Sequence, residues 1–148
     1  MYRWLVRRMV RRMAARSRAG DMGPTLALWA EGGHFVFPGR HSWAADYHNK
    51  QDLAAWYERF ARVGLQIEPE EVLVAGPPWR TTVCIHFTDH VTAPSGEVVY
   101  ENTGVLFAKM SWGKISYGTV YEDTQKVADF DEYLAVHEPP KPAPVGSR

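Results

Sequence analysis

Cysteine is nearly absent from this chain: one of its 148 residues, Cys84, carries a thiol. A lone thiol forms no intrachain disulfide and no Cys-x-x-Cys zinc or redox motif, so the sequence points to a reducing, cytoplasmic setting. Long apolar runs are absent as well, none approaching the roughly 18 residues of a membrane-spanning helix. The N-terminus lacks the continuous apolar stretch and small-residue cleavage site of an export signal. Net charge is missing too, with 17 Lys plus Arg against 17 Asp plus Glu. That zero conceals a division. Residues 1–18 hold seven arginines and no acid, which leaves ten cations against 17 acids, a balance of −7, in the rest of the chain. An acidic body offers no broad basic face for phosphates, which argues against nucleic acid as a partner.

What the chain does have is apolar and aromatic material, 45% and 13% of its residues, enough for one core at a length usual for a single domain. In the arginine-rich start, Leu5, Met9 and Met13 recur every four residues, and Trp4, Val6 and Val10 broaden the stripe. This predicts a first helix with solvated arginines. The same pattern suits a transit peptide or a membrane-surface helix, the competing reading. Gly20 suits a helix end, and Pro24 sits where a short second helix over 25–30 begins. Gly32-Gly33 ends it, 34–37 reads as a strand, and 40–49 has no period and reads as a loop.

From 50 to 63 the residues Leu53, Trp56, Tyr57, Phe60 and Ala61 recur at spacings of three and four, a core-facing helix stopped by Gly64. A candidate strand over 65–75 is interrupted by Glu68, Glu70 and Glu71, and three stronger strands follow over 81–91, 98–110 and 114–121, rich in β-branched and aromatic residues and separated by Gly, Pro or Ser. With no helix between them they pair antiparallel. A last short helix covers 125–136. The domain is taken as 1–137, and 138–148 as a flexible Pro-rich tail that cannot prolong the helix.

His34-Phe-Val-Phe-Pro-Gly39, the helix after Lys50, Tyr100-Glu-Asn-Thr-Gly104, Gly113-Lys-Ile115 and Tyr121-Glu-Asp-Thr124 resemble the pattern of SnoaL-like proteins of the nuclear transport factor 2-like superfamily. The likeness spans about residues 3–136. It implies an α+β cone: a curved, mainly antiparallel sheet packed against three N-terminal helices and a short C-terminal one, often dimeric, with an apolar pocket inside. That fold hosts cyclases, isomerases, dehydratases, hydrolases and non-catalytic binders, so function has to come from the pocket.

Trp29, Phe35, Phe37, Trp56 and Phe60 would line such a cone with flat apolar walls suited to a polycyclic, steroid-like or aromatic polyketide ligand. Alternation places Tyr117, Thr119, Tyr121 and Asp123 on one face, and Tyr100, Asn102 and Gly104 on one face of the preceding strand. Taken as inward, Tyr100, Tyr117, Tyr121 and Asn102 would either satisfy one another's hydrogen bonds or orient a ligand carbonyl. A carboxylate in an apolar pocket titrates high and suits a general base. Asp123, which matches the family's Tyr-x-Asp ending, is the first candidate, although Asp before a helix is also an ordinary N-cap. Its neighbour Glu122 is expected on the opposite face. Asp46, with Tyr47 and His48 in the 40–49 loop and His34 and His41 near in sequence, is the second candidate, as part of a proton-shuttling His–Asp pair.

His86 and His90 share a strand face but lack a third ligand, so no metal is expected. Cys84 reads as a small buried hydrophobe. Along the ketosteroid isomerase pattern the base position is Phe37 and the oxyanion tyrosine falls near Met13. The 81–121 strands hold none of the arginine that epoxide hydrolases of this fold use. Two functions stay open: a cofactor-independent cyclase, isomerase or lyase acting on a carbonyl compound through Asp123 or Asp46, or a non-catalytic ligand-binding or homodimeric interaction module.

Overall fold

A computed structural model describes residues 1–144 and Gly146. Helices α1 (Tyr2–Arg18) and α2 (Gly23–Leu28) precede strands β1 (Trp29–Phe37) and β2 (Ala45–Tyr47). Helix α3 (Lys50–Val63) leads into β3 (Gln66–Ala75), β4 (Thr81–Thr92), β5 (Val98–Ser111) and β6 (Lys114–Glu122), and α4 (Thr124–His137) follows. The expected α+β cone is present. One curved sheet runs in the order β2-β1-β6-β5-β4-β3, with every neighbouring pair antiparallel except β1 and β6.

Local signals explain most of the boundaries. Asn49 caps α3 by accepting the Asp52 N–H at 2.8 Å, and Gly64 ends it in the left-handed region at φ 84°. Pro69, which has no N–H to donate, lies beside a bulge in the edge strand β3. The 40–49 stretch departs from its expectation as a loop. Its residues 45–47 pair with Phe35 to Phe37 and add a short edge strand, too brief to show a period.

Helix α1 belongs to the fold. Val6 is buried against Val72, Val74, Val83, Ala108 and Met110, with Met9 and Val10 packed alongside. Its arginines lie outside and make local contacts: Arg7 donates to the Val72 carbonyl, Arg18 pairs with Glu68, and Arg16 with Asp21. No helix among the described residues is long and apolar enough to cross a membrane. At the other end, Arg59 holds the Glu138 carboxylate at 2.6 Å and Arg62 donates to the Pro139 carbonyl, so the first residues of the expected tail lie on α3. Of that tail, Val145, Ser147 and Arg148 lie outside the described residues.

One irregularity decides which side chains enter the cone. At the β5–β6 turn the register pairs Ser111 with Lys114 and Met110 with Ile115, but from Lys109 onward it has slipped by one, pairing Lys109 with Tyr117 and Gly104 with Glu122. Ser116 is the extra residue, and its hydroxyl bonds back to the Lys109 carbonyl. Because side chains alternate, a single added residue exchanges the two faces of the rest of the strand. Ile115 before the bulge and Val120 and Glu122 after it therefore point inward, and Tyr117 and Tyr121 point out.

Candidate functional site

The cone encloses a cavity of about 180 Å³ between the sheet and α1, α2 and α3. Met9 and Met13 of α1, Phe35 and Phe37 of β1, Trp56 and Phe60 of α3, and Ile85 and Phe87 of β4 supply most of its wall. A cavity of about 150 Å³ accommodates benzene. This one is of the same order.

One carboxyl faces this apolar space, Glu122 at the end of β6. Gly104, its cross-strand neighbour, makes room for it: a Cβ there would lie 2.6 Å from Glu122 Cγ and 2.7 Å from Phe87 Cζ. Beside Glu122, at a small cavity that both line, is Asp89 of β4, only 5% exposed. Tyr100 donates its hydroxyl to Glu122 Oε2 at 2.9 Å. Asn102 donates from Nδ2 toward the same oxygen at 3.3 Å, and also to the Tyr100 oxygen and the Asp123 carbonyl at 3.0 Å each. A smaller cavity, walled by Trp43, Trp56, Phe60 and Phe130, also reaches Asp89, Tyr100 and Glu122.

Removing two carboxyls from water and placing them together disfavours charge on both. Burial, reinforced by the Glu122 charge, pushes Asp89 up to about 8. Burial pushes Glu122 up to about 7, against the pull of hydrogen bonds from Tyr100 and Asp89. Burial and the two acids raise the Tyr100 phenol as well, so it stays a proton donor. Asp89 Oδ1 has no donor among the described side chains and backbone. A proton shared with Glu122 would supply one, and burial with a second acid alongside favours the protonated form of both carboxyls.

A second polar group enters the cavity from α3. The Trp29 indole N–H donates to the Tyr57 oxygen at 3.0 Å, and burial pushes the Tyr57 phenol up to about 12. Trp29 is locked in place, its ring lying over Gly33 and Gly118, where a Cβ would fall 2.9 and 2.8 Å away. Tyr57 is among the residues lining the cavity, and its oxygen accepts from Trp29.

The residues expected from sequence divide. Phe37, Trp56 and Phe60 meet at the cavity wall. Trp29 lies behind the wall as the partner of Tyr57. Tyr47 packs against Phe35 from the edge strand and is not among the lining residues. Tyr100 and Asn102 point inward as expected, and both donate to Glu122 Oε2.

The structure places five residues otherwise than expected. Tyr117 packs against His34 on the outer face, and Tyr121 is 56% exposed there, both turned out by the Ser116 bulge. Asp123 is exposed, and its Oδ1 accepts the N–H groups of Gln125 and Lys126, so it caps α4 and does not face the cavity. Asp46 is exposed on β2 and bonds to His34 and His48 outside the cavity. Glu122, expected outward, faces in. Asp89 and Tyr57 were not singled out for chemistry, although Asp89 alternates with Val83, Ile85, Phe87 and Val91 and so had to share their apolar side.

Comparison with known proteins agrees with this architecture. The sequence profile of the SnoaL-like domain matches residues 7–118. Among curated proteins none matches the sequence. Bal32a, from a soil-derived mobile gene cassette, superposes with a TM-score of 0.68 at 20% identity, over 83% of this chain and 93% of that one. An NTF2-like protein of unknown function from Burkholderia pseudomallei gives 0.66 at 16% identity, over 87% and 94%. TerC, co-crystallised with polyporic acid, gives 0.66 at 19% identity, over 86% and 96%. At these identities the likeness is one of fold.

Proposed function

The chain belongs to the SnoaL-like domain family, and from that premise we propose that it binds a compact, mainly apolar carbonyl compound in the cone and moves a proton on it, with Glu122 as the base. The observation that carries this reading is a single titratable carboxyl facing an otherwise apolar cavity, backed by a second buried carboxyl and fixed by Tyr100 and Asn102.

A carboxylate in water is too weak a base to take a proton from carbon efficiently. Burial beside Asp89 strengthens Glu122, and at about 7 it is still partly ionised near neutral pH. Ionised Glu122 takes the proton α to the ligand carbonyl. Asp89, with the higher value, keeps its own proton throughout, hydrogen-bonding to ionised Glu122 before the transfer and to the neutral Glu122 carboxyl after it. Tyr57 donates to the carbonyl oxygen as it becomes an enolate, a role that its bond from Trp29 prepares. Return of the proton to a different carbon is an isomerisation; attack of the enolate carbon on a second carbonyl closes a ring.

Polyporic acid bound to TerC supports an aromatic ligand class for the shared fold. The outer sheet face, with Leu73 and Tyr121 exposed, suits a homodimer contact, and size-exclusion chromatography with light scattering measures that directly.

The test of function is hydrogen exchange on ligands. One- and two-ring aryl ketones are screened by thermal shift, and those that bind are followed in D₂O by proton NMR for loss of the α-hydrogen signal. Wild type should accelerate exchange, and Glu122→Gln should remove most of a general-base contribution of roughly 10²–10⁴-fold. Equal exchange by the two proteins would overturn Glu122 as the base. Tight binding with no acceleration would favour the other reading, a ligand-binding module without turnover.

A further inference from the structure

The geometry points to a second site, on the outer face of the sheet and independent of the cavity: His34, Asp46 and His48 form a binding site for one divalent transition-metal cation of the zinc type.

The site is built by strand pairing. β1 and β2 run antiparallel with Phe35 opposite Tyr47 and Val36 opposite Asp46, so the next step along the register sets His34 opposite His48. Directly opposed residues share a face, and so do residues two apart on one strand. Asp46 therefore joins both histidines on the side away from Phe35 and Phe37, which turn into the cavity. The two imidazoles stack with centroids 4.1 Å apart and planes 18° apart. Both direct Nε2 at one atom, Asp46 Oδ1, at 2.6 Å from His34 and 3.4 Å from His48.

Two imidazole nitrogens and a carboxylate oxygen, all within 4.8 Å of one another, make a donor set that a single ion can reach. Zinc takes nitrogen and oxygen ligands at about 2.0–2.2 Å, which sets neighbouring donors roughly 3.3 Å apart, so His48 at 3.4 Å from Asp46 already fits and His34, at 2.6 Å, need only move off Asp46 by under about an ångström. Small rotations of half-exposed side chains provide that. The Tyr117 ring stands edge-on to His34 at 5.5 Å and limits its swing. Nitrogen-rich sets suit zinc, copper and nickel, whereas magnesium and calcium prefer all-oxygen sites. Solvent fills the remaining positions. A bound ion would pin the three-residue strand β2 to β1, bracing the segment that carries Trp43 and Ala45 into the core.

The experiment is calorimetric titration of the full chain, first stripped with chelator, with zinc chloride and separately with magnesium chloride. Cobalt(II) absorption is recorded in parallel as a readout of nitrogen coordination. The expected result is saturable one-to-one zinc binding, cobalt bands, a rise in Tm with zinc, and no magnesium binding. His48→Asn and Asp46→Asn should each weaken zinc by at least about tenfold, the lower bound for losing even a supporting partner of a metal ligand. His86→Asn, which alters a surface histidine on β4 paired with Glu70, should leave binding unchanged. His34 and His48 imidazole signals in wild-type NMR spectra should shift with zinc, a readout that needs no variant. The proposal is overturned by absence of saturable zinc binding, by equal binding of magnesium, by a His86→Asn effect as large as that of His48→Asn, or by imidazole shifts confined to other histidines.

Discussion

If Asp89 and Glu122 hold protons in the folded chain that they release when unfolded, stability must depend on pH in a direction opposite to that of most carboxyls. Salt-bridged acids have depressed values and stabilise proteins as pH rises. Here both folded values lie above the ordinary ones, 3.8 rising to about 8 for Asp89 and 4.5 to about 7 for Glu122. The folded state then binds more protons than the unfolded state between these limits, so stability is full below about pH 4 and falls as pH rises toward 8. The Glu122 displacement alone, at about 1.36 kcal/mol per unit, corresponds to roughly 3 kcal/mol. That is a large share of the roughly 5–15 kcal/mol by which domains are stable. The assay is urea unfolding of wild type and Glu122→Gln at intervals from pH 5 to pH 8. Glutamine keeps an oxygen to accept from Tyr100 and Asn102 but has no charge to bury. Glu122 alone should take about 2–3 kcal/mol from wild type across this range, and raised Asp89 adds a loss of at least similar size that the variant retains, so the variant should show the shallower slope and be the more stable protein at pH 8. A wild-type profile that is flat or rising, or a variant with the same slope, would refute the shared-proton reading.

Other consequences are as direct. Tyr57→Phe leaves the buried Trp29 N–H without an acceptor and should cost about 1–3 kcal/mol in urea unfolding; it should also weaken ketone ligands more than hydrocarbon ligands of the same shape in thermal-shift titrations. Gly104→Ala puts a methyl 2.6 Å from Glu122 Cγ and 2.8 Å from the Tyr121 carbonyl. It should destabilise by about 1–3 kcal/mol through overpacking and, by displacing Glu122, flatten the pH profile as well. Asp123→Ala should cost about 1 kcal/mol of helix capping, and Asp123→Asn very little, with the pH profile of stability unchanged in both. A changed pH profile would return Asp123 to the site.

The fold was legible in the sequence wherever a local signal was strong. The spacing of Leu53, Trp56, Tyr57 and Phe60, with Asn49 and Gly64 at the ends, defines α3, and the β-branched and aromatic runs define β4 to β6. Strand β2 was not legible, since three residues carry no period and its pairing depends on β1. The site was half legible. Wall residues such as Phe37, Trp56 and Phe60 announce themselves by size and spacing. The chemistry does not, because it depends on which face of β6 is inside. Without the Ser116 bulge, the Ser111–Lys114 register would continue and turn Tyr117 and Tyr121 into the cone. Alternation predicts that arrangement, and one extra residue reverses it. Asp89 was the recoverable signal: an acid among Val83, Ile85, Phe87 and Val91 has no solvated side to occupy once the strand is half-buried.

The claim on which the rest depends is that Glu122 and Asp89 share a proton beside an apolar cavity. Carboxyl ¹³C NMR, with Glu122 Cδ and Asp89 Cγ followed from pH 3 to pH 9, tests it most directly. The account predicts mutually dependent titrations with apparent midpoints near 7 and 8. Midpoints for both groups at ordinary carboxyl values, about 4, would contradict it.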